Sequence, residues 1–186
     1  MTPLTDSAPP PRTLRRRRVT LVAVLGFVAV VAAMWVYALF FASRRSPDKV
    51  PDRAWAASAQ TICLDARARI DALPAAETFR KVEPRVEALR QRAVVLDQAN
   101  DALATQLASL RALVPADATT TKLAGEWLAD WDTYLADRRV HSDELKAGKN
   151  VAFKESTYSE SPISNRMNAF ARVNRMPRCG TPYDVA

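Results

Sequence analysis

The pattern of apolar and polar residues separates one long apolar segment from a series of amphipathic ones. Residues 19–41, VTLVAVLGFVAVVAAMWVYALFF, contain no charged residue. A helix of this length spans about 34 Å, and the hydrocarbon core of a bilayer is about 30 Å thick. We therefore predict a transmembrane helix. A cleaved signal peptide is the alternative, but its apolar region is usually only about 7–15 residues long.

The basic residues beside this segment predict its orientation. Five arginines precede it, at Arg12 and residues 15–18, and four basic residues follow it in residues 44–53. The first group directly adjoins the apolar segment, so the positive-inside rule favours a single-pass plasma-membrane protein with a cytoplasmic N-terminus. The predicted organisation is a disordered basic cytoplasmic tail (1–18), a transmembrane helix (19–41), a juxtamembrane linker (42–52) and an extracytoplasmic helical domain (53–186).

The first two amphipathic segments have the apolar spacing of helices. One begins at Arg53 and ends before Pro74. The other has apolar residues at alternating steps of three and four over residues 79–114, which is a heptad seam. Pro84 interrupts the first turns of this second helix, so we expect its regular part to begin near that residue.

Two further helices are predicted in the second half of the domain. The third begins near residues 117–120 and ends near Gly148, and the fourth has Ser161 as its N-cap and Pro162 as its first helical residue. Each helix needs a partner for its apolar face. The sequence therefore predicts an all-α fold, with one N-terminal transmembrane helix followed by an antiparallel four-helix bundle-like domain without strands.

The heptad seam of residues 79–114 has two possible uses. It can pack within the bundle, or it can pair with a second copy of the chain or with another envelope protein. Asn100 is the single polar residue of the seam, and a buried asparagine suits either use because it fixes the register of the helices.

The third helix concentrates the residues with candidate chemistry. On a helical projection, Trp131 and Tyr134 lie on the packing face and Asp130 lies at its edge. Arg138 projects into the apolar face. Because an unpaired buried charge is very costly, we expect Arg138 to contact an acid or an amide of a neighbouring helix, with stacking on Trp131 or Tyr134.

The partner of Arg138 decides what this part of the helix does. Folding the second and third helices back about Pro115 places Arg138 level with about residue 92, within one or two turns of Asp97 and Glu87. The same register places Asn100 level with Trp131. The structural interpretation is a polar contact that fixes the register of the bundle, and the alternative is a pocket for an anionic ligand. The candidate residues for either role are Arg138, Tyr134, Trp131, Asp130 and Asn100.

Asp137 and His141, at the same edge of the third helix, are four residues apart, a spacing that can place two metal ligands on one face. The chain has a single histidine and lacks a Glu-x-x-His motif. No motif-bearing nucleophile accompanies His141 either. We therefore predict no metal, no cofactor and no enzymatic activity.

Cys63 and Cys179 enclose most of the predicted domain. In an oxidising compartment they would form a disulfide, which agrees with an extracytoplasmic location. Closing a loop of that length would stabilise the fold by about 4–5 kcal/mol through the entropy of the unfolded chain. Two buried free thiols are the alternative.

The net charge of +7 does not indicate a nucleic-acid partner. Residues 1–18 hold five arginines and one acid, which leaves 27 − 5 = 22 basic and 20 − 1 = 19 acidic residues elsewhere. A surplus of three among so many mixed charges is typical of an ordinary solvated surface.

Two stretches, EWLADWDTYLADRRVHSDELKAGK (126–149) and ISNRMNAFARVNRMPRCGTPYDV (163–185), resemble uncharacterised actinobacterial single-pass membrane proteins with a helical extracytoplasmic domain. The resemblance implies a cell-envelope location and supplies no catalytic residues. We expect an interaction, scaffold or accessory component of the bacterial cell envelope, in contact with the lipid bilayer and with a protein partner. The alternative is an extracytoplasmic ligand-sensing module with an interhelical pocket around Arg138.

Overall fold

The computed structural model of the chain describes residues 12–41 and 46–184. They fall into two compact units, divided after Arg45. The first unit contains helix α1 (Arg12–Val36), which continues as a π-helical turn (Tyr37–Phe41). Residues 19–40 of this unit have a mean hydropathy of 2.6, and none of these residues is buried. By length and composition this helix is able to cross a membrane, as an anchor or as a signal sequence.

The start of α1 differs from the prediction. Residues 12–18, which we predicted to be part of a disordered tail, are helical. After the prolines of residues 9–11, this stretch consists mainly of arginine and leucine, which favour helix, so the helix extends toward the N-terminus. The remaining tail residues, 1–11, and linker residues 42–45 lie outside the described residues.

Within residues 46–184, four α-helices form the second unit. They are α2 (Arg53–Asp71), α3 (Arg85–Arg111), α4 (Ala118–Lys146) and α5 (Ile163–Val173). A 3-10 turn (Ala76–Lys81) precedes α3, and another (Pro177–Cys179) follows α5. Trp127, in the first half of α4, contacts Trp55 at the start of α2 and stacks on Phe170 near the end of α5. Successive helices are therefore antiparallel, and the predicted fold class is confirmed.

The N-terminal ends of α2 and α4 are joined by shared hydrogen bonds. Asp52 caps α2 by accepting from the Trp55 N–H at 2.9 Å, and its second oxygen accepts from the Ala116 N–H at 2.8 Å. These bonds hold the pKa of Asp52 below its usual range. Asp117 caps α4 by accepting from the Thr120 N–H at 2.8 Å, and the Thr120 hydroxyl accepts from the Asp52 N–H at 3.2 Å. The predicted start of the third helix is thus confirmed.

The linker before α2 is fastened to the end of α5 by Asn174. This side chain is buried, accepts from the Val50 N–H at 2.8 Å and donates to the Asp48 carbonyl at 2.8 Å. Val50 itself is buried in the bundle. The described part of the predicted linker therefore belongs to the folded domain.

The start of α5 is shifted by one residue from the prediction. Pro162 is the N-cap and Ile163 the first helical residue. Ser161 and Pro162 instead form strand β2, which pairs with strand β1 (Thr157–Tyr158) in an antiparallel hairpin that we did not predict. Its turn residues, 159–160, have φ angles of 46° and 66°. Such turns usually contain glycine or asparagine, so the sequence carried no hairpin signal.

The heptad seam of α3 lies inside the bundle. Leu89, Leu110 and the seam positions between them, including Asn100, are buried. Outside this central part, Val86 is 43% exposed and Val114 is 90% exposed. Packing within the chain is therefore the use that the central part of the seam has in this structure.

Candidate functional site

Arg138 lies in the interior of the bundle, where the helical projection placed it. Its side chain has no exposed surface. The Tyr134 ring lies beside it, with the ring centroid 5.8 Å from the guanidinium carbon. Trp131 packs edge-on against Tyr134 at 5.8 Å. Of the two predicted stacking partners, Tyr134 is thus the one next to Arg138.

Three hydrogen bonds pair the guanidinium. Its Nε–H donates to Oδ1 of Asn100 in α3 at 2.6 Å. Its Nη1 and Nη2 groups donate to the two carboxylate oxygens of Asp184, each at 2.7 Å. The predicted contact with an amide of a neighbouring helix is present, and the carboxylate comes from the irregular segment that follows α5.

The acids that we predicted as partners of Arg138 have other contacts. Asp97 accepts from the Ser142 hydroxyl at 2.6 Å and pairs with Lys146 at 2.9 Å. Glu87 accepts a hydrogen bond within its own helix. Asp97 faces α4 one turn beyond Arg138. Arg138 itself lies level with Asn100, about two turns along α3 from the level predicted near residue 92.

The environment of Arg138 keeps it charged. Burial lowers the pKa of the guanidinium, but the hydrogen bonds and the charge of Asp184 outweigh this effect, so the pKa lies above its ordinary value. Burial raises the pKa of the Tyr134 hydroxyl, which therefore stays neutral. The site is a permanent cation beside a neutral aromatic side chain, a combination that suits an anionic group.

The segment that carries Asp184, residues 180–184, is held mainly by side chains of the bundle. Arg67 donates to the carbonyl oxygens of Gly180 at 3.1 Å and Thr181 at 3.3 Å. Asn168 accepts from the Thr181 N–H at 2.8 Å and donates to its hydroxyl at 3.0 Å. A Cβ atom on residue 180 would lie only 2.9 Å from the Asn168 Oδ1, so this close approach favours glycine.

A disulfide fixes the base of this segment. Cys63 in α2 and Cys179 are bonded, as predicted, with their Cα atoms 5.0 Å apart. Both residues are fully buried. Asp184 therefore lies five residues beyond a point that is covalently attached to α2.

Three clefts in the described part of the domain border the 180–184 segment, and Tyr183 lines all of them. The α2–α3 cleft, which includes Ile70 and Phe79, has a volume of about 300 Å³. The α5 cleft, beside Arg172, has about 570 Å³, and the α4–α5 cleft, which includes Phe153, has about 790 Å³. Tyr183 is 92% exposed. Residues 180–184 thus border three open spaces, and Arg138 itself lines none of them.

Asp130 is not part of the Arg138 site. Its carboxylate pairs with Nε of Arg166 in α5 at 3.0 Å. It precedes Arg138 by eight residues, which is about 12 Å along a helix. Burial raises the pKa of Asp130, and Arg166 offsets part of this shift. The predicted ligand pocket that included Asp130 is therefore not assembled as a single site.

His141 is buried, although the helical projection placed it at a partly exposed edge. It is only 2% exposed, and its ring packs edge-on against Phe153 with centroids 5.6 Å apart. Neither ring nitrogen has a hydrogen-bond partner among the described residues. Burial and the charges of Arg92 and Arg138 lower its pKa, so the ring is neutral at pH 7.

Asp137, which we considered with His141 as a weak metal-ligand pair, has a structural contact. Its carboxylate accepts from the Ser156 backbone N–H at 2.6 Å and from its hydroxyl at 3.1 Å. Across residues 12–41 and 46–184, no group of three or more His, Cys, Asp or Glu side chains could hold a metal ion.

Sequence reasoning missed the residues that build the 180–184 contact, namely Asp184, Arg67 and Asn168. The signal that pointed toward them was the predicted disulfide, since bonding Cys179 requires the following residues to pack on the bundle. Comparison of the chain with protein-family models, with curated proteins and with solved structures gives no match.

Proposed function

We propose that this chain is a single-pass plasma-membrane protein of the bacterial cell envelope, with a cytoplasmic N-terminus and an extracytoplasmic domain that binds another protein as a scaffold or accessory component. The proposal rests on one observation: the same chain contains an apolar helix long enough to cross a membrane and a helical domain that is closed by a disulfide. The resemblance of residues 126–149 and 163–185 to actinobacterial single-pass membrane proteins agrees with it.

The surface of helix α1 supports a membrane anchor. Its large apolar side chains are exposed on all sides, with Val22 at 68% and Phe27 at 70%. A helix that is apolar all round is stable where apolar surroundings cover it, and a bilayer supplies them.

The disulfide supports an extracytoplasmic domain. Disulfides persist in oxidising compartments and are rare in the bacterial cytosol. Because Cys63 and Cys179 lie in the same domain, this domain belongs on the oxidising side of the membrane.

The surface around residues 180–184 is the place where we expect a protein partner to bind. Tyr183 projects from it with 92% of its surface exposed, next to three clefts that include several arginines. Tyrosine and arginine are enriched at the energetic centres of protein interfaces. The seam of residues 79–114 is buried at its centre, so we place the partner surface at residues 180–184.

Cysteine labelling in intact cells tests the topology. Ala108, an exposed residue of α3, is replaced by cysteine in one variant, and Ser7 in another. A membrane-impermeant maleimide is expected to label Ala108→Cys in intact cells and Ser7→Cys only after lysis. Labelling of the two positions in the opposite order, or of both in intact cells, would contradict the proposed topology.

Photocrosslinking in the native host tests the interaction. A photoreactive amino acid is placed at Tyr183 and, as a matched control, at Val140, which is 61% exposed and lines none of the three clefts. We expect one specific crosslinked protein from position 183 and none from position 140. Absence of a specific product from position 183 would count against a scaffold function at this surface.

Ligand sensing through Arg138 is the second candidate function. It is favoured by one observation, namely that the carboxylate bound to Arg138 comes from an irregular segment and not from a helix of the bundle. The pocket that we propose for it contains Arg138, Tyr134 and Asn100, without Asp130.

A further inference from the structure

We propose that Arg138 and Asn100 form a carboxylate-binding site, and that Asp184 is its tethered and exchangeable occupant. The competing ligand is a carboxylate group, carried by a small molecule or by an extended peptide. The proposal does not depend on the membrane topology or on the protein partner proposed above.

The residues that bind the Asp184 carboxylate all belong to helices of the bundle, and none of them lies in residues 180–184. Asn100 comes from α3, and Tyr134 and Arg138 come from α4. The bond from the Arg138 Nε–H to Asn100 fixes the plane of the guanidinium, so that its two Nη groups point together at the bound carboxylate. This planar fork matches the geometry of a carboxylate group.

Asp184 is more exposed than the arginine that binds it. The Asp184 side chain is 25% exposed, whereas the Arg138 side chain has no exposed surface. Residues 180–184 contain no helix or strand, and the hydrogen bonds of Thr181 are made with the side chains of Arg67 and Asn168. These are the kinds of contact with which a folded domain binds an extended peptide. Their loss would leave the helices of the bundle intact.

The clefts provide the route for exchange. Pro182 and Tyr183 line both the α2–α3 and the α4–α5 cleft, whose volumes are about 300 and 790 Å³. Asp184 also lines the first cleft and Tyr134 the second, so both clefts reach residues that contact Arg138. A site of several hundred cubic ångströms accommodates a small molecule or a few peptide residues. Because Cys179 is bonded to α2, a released Asp184 stays within about 17 Å of its anchor. A ligand therefore competes with the Asp184 carboxylate, whose effective concentration at the site is high because it is tethered.

The buried charge determines what can replace Asp184. Arg138 stays cationic, and a buried cation without a counter-ion is strongly unfavourable. When Asp184 leaves, another anion of similar shape must take its place. The exchange is therefore one carboxylate for another.

The experiment uses the full chain in detergent micelles, with thermal unfolding followed by tryptophan fluorescence. In Asp184→Ala, sodium acetate is expected to raise Tm saturably, by at least about 3 °C over sodium chloride at equal ionic strength. Two controls are expected to show no difference between the salts: the double variant Asp184→Ala with Arg138→Met, and the surface variant Asp132→Ala. If Asp184→Ala does not fold, Asp184→Asn replaces it.

A peptide distinguishes the two sources of carboxylate. Ac-TPYD-NH2, which copies residues 181–184, is compared with acetate and with Ac-TPYN-NH2. A response to the aspartate peptide at a concentration at least tenfold below that of acetate assigns the site to peptide carboxylates. A response to acetate alone assigns it to small molecules.

Exchange in the wild-type chain is tested by hydrogen exchange and mass spectrometry. Excess of the carboxylate that stabilises Asp184→Ala is expected to increase amide exchange in residues 180–184, because Thr181 loses its bond to Asn168. The proposal is overturned if neither carboxylate stabilises Asp184→Ala more than chloride, or if the Arg138→Met background responds equally. Unchanged exchange in the wild-type segment would overturn the exchangeability of Asp184.

Discussion

Two arginine–aspartate pairs of this domain share their chemistry and differ in their surroundings. Arg111 and Asp132 join α3 to α4 at the surface, where their side chains are 46% and 57% exposed. Arg138 and Asp184 join α4 to the 180–184 segment, with 0% and 25% exposed. In both pairs the guanidinium donates to both carboxylate oxygens.

The comparison shows that location decides what an ion pair contributes. A surface pair is screened by water and salt, and typically contributes about 0–1 kcal/mol. In a buried pair, the attraction between the two charges roughly balances the cost of desolvating them, so removing both partners together changes stability little. Removing only one partner leaves the other charge buried and uncompensated, which costs about 3–5 kcal/mol. The Arg138 pair therefore sets where residues 180–184 lie more than it adds to stability.

Removing each aspartate gives the largest contrast. Asp184→Ala leaves Arg138 buried without a counter-ion and is expected to lower the free energy of unfolding by about 3–5 kcal/mol. Asp132→Ala is expected to cost less than about 1 kcal/mol. Both values come from denaturant unfolding of the full chain in micelles, in a buffer without carboxylates. Equal costs would remove the distinction between the two pairs.

Asn100→Asp sharpens the comparison by adding a second carboxylate to the buried site. In the wild-type chain the Arg138 Nε–H donates to the Asn100 side-chain oxygen. In the variant the new carboxylate takes the place of this oxygen and pairs with the guanidinium. We expect the cost of Asp184→Ala to fall by about 1–3 kcal/mol in this background, measured by a double-mutant cycle. The cost of Asp132→Ala should not change, and a similar fall there would indicate a general effect on the bundle.

His141 provides a pH test of the same buried region. Its folded pKa lies below the ordinary 6.5, so the unfolded chain binds more protons below about pH 6.5. Stability then falls as pH decreases from 6.5 toward the folded pKa, by at most about 1.4 kcal/mol per pH unit. His141→Leu is expected to flatten this slope between pH 7 and 5. The lowered pKa of Asp52 acts only below about pH 4, so an unchanged slope would contradict the assignment to His141.

Salt gives the smallest effect. Between about 0.1 and 1 M sodium chloride the screening length falls from about 10 to 3 Å. The cost of Asp132→Ala is expected to shrink toward zero, a change of less than about 1 kcal/mol, while that of Asp184→Ala is expected to stay constant. A salt-dependent cost for Asp184→Ala would show that the Arg138 site is open to chloride when Asp184 is absent.

Periodicity was sufficient to predict the helices and the burial of Arg138. The apolar spacing of α2, α3 and α4 depends on side chains that repeat every turn, and Arg138 interrupts that repeat visibly. A charge inside an apolar arc needs a polar partner, and Asn100 is the polar residue of the facing seam. These inferences require only the geometry of two adjacent helices.

The remaining parts of the site depend on irregular segments, whose positions no repeat determines. Asp184 reaches Arg138 because the disulfide and Asn168 direct residues 180–184 across the bundle. His141 is buried because Phe153, in the connection after α4, covers it. The error of about two turns in the level of Arg138 has a similar cause, because the loop at Pro115 sets the register of α3 against α4.

The disulfide also determines which parts of the domain would bear a pulling force. For tension applied between the linker before α2 and the residues after Cys179, the shortest covalent path runs along the first half of α2 and crosses the sulfur–sulfur bond. Cys63 and Cys179 are 116 positions apart in sequence, so all of α3, α4 and α5 lies outside this path. Under such tension the force would bypass α3, α4 and α5, so Arg138 and Asn100 would keep their positions. Asp184 follows Cys179 and would lie on the loaded path, so its bonds to Arg138 would be pulled directly.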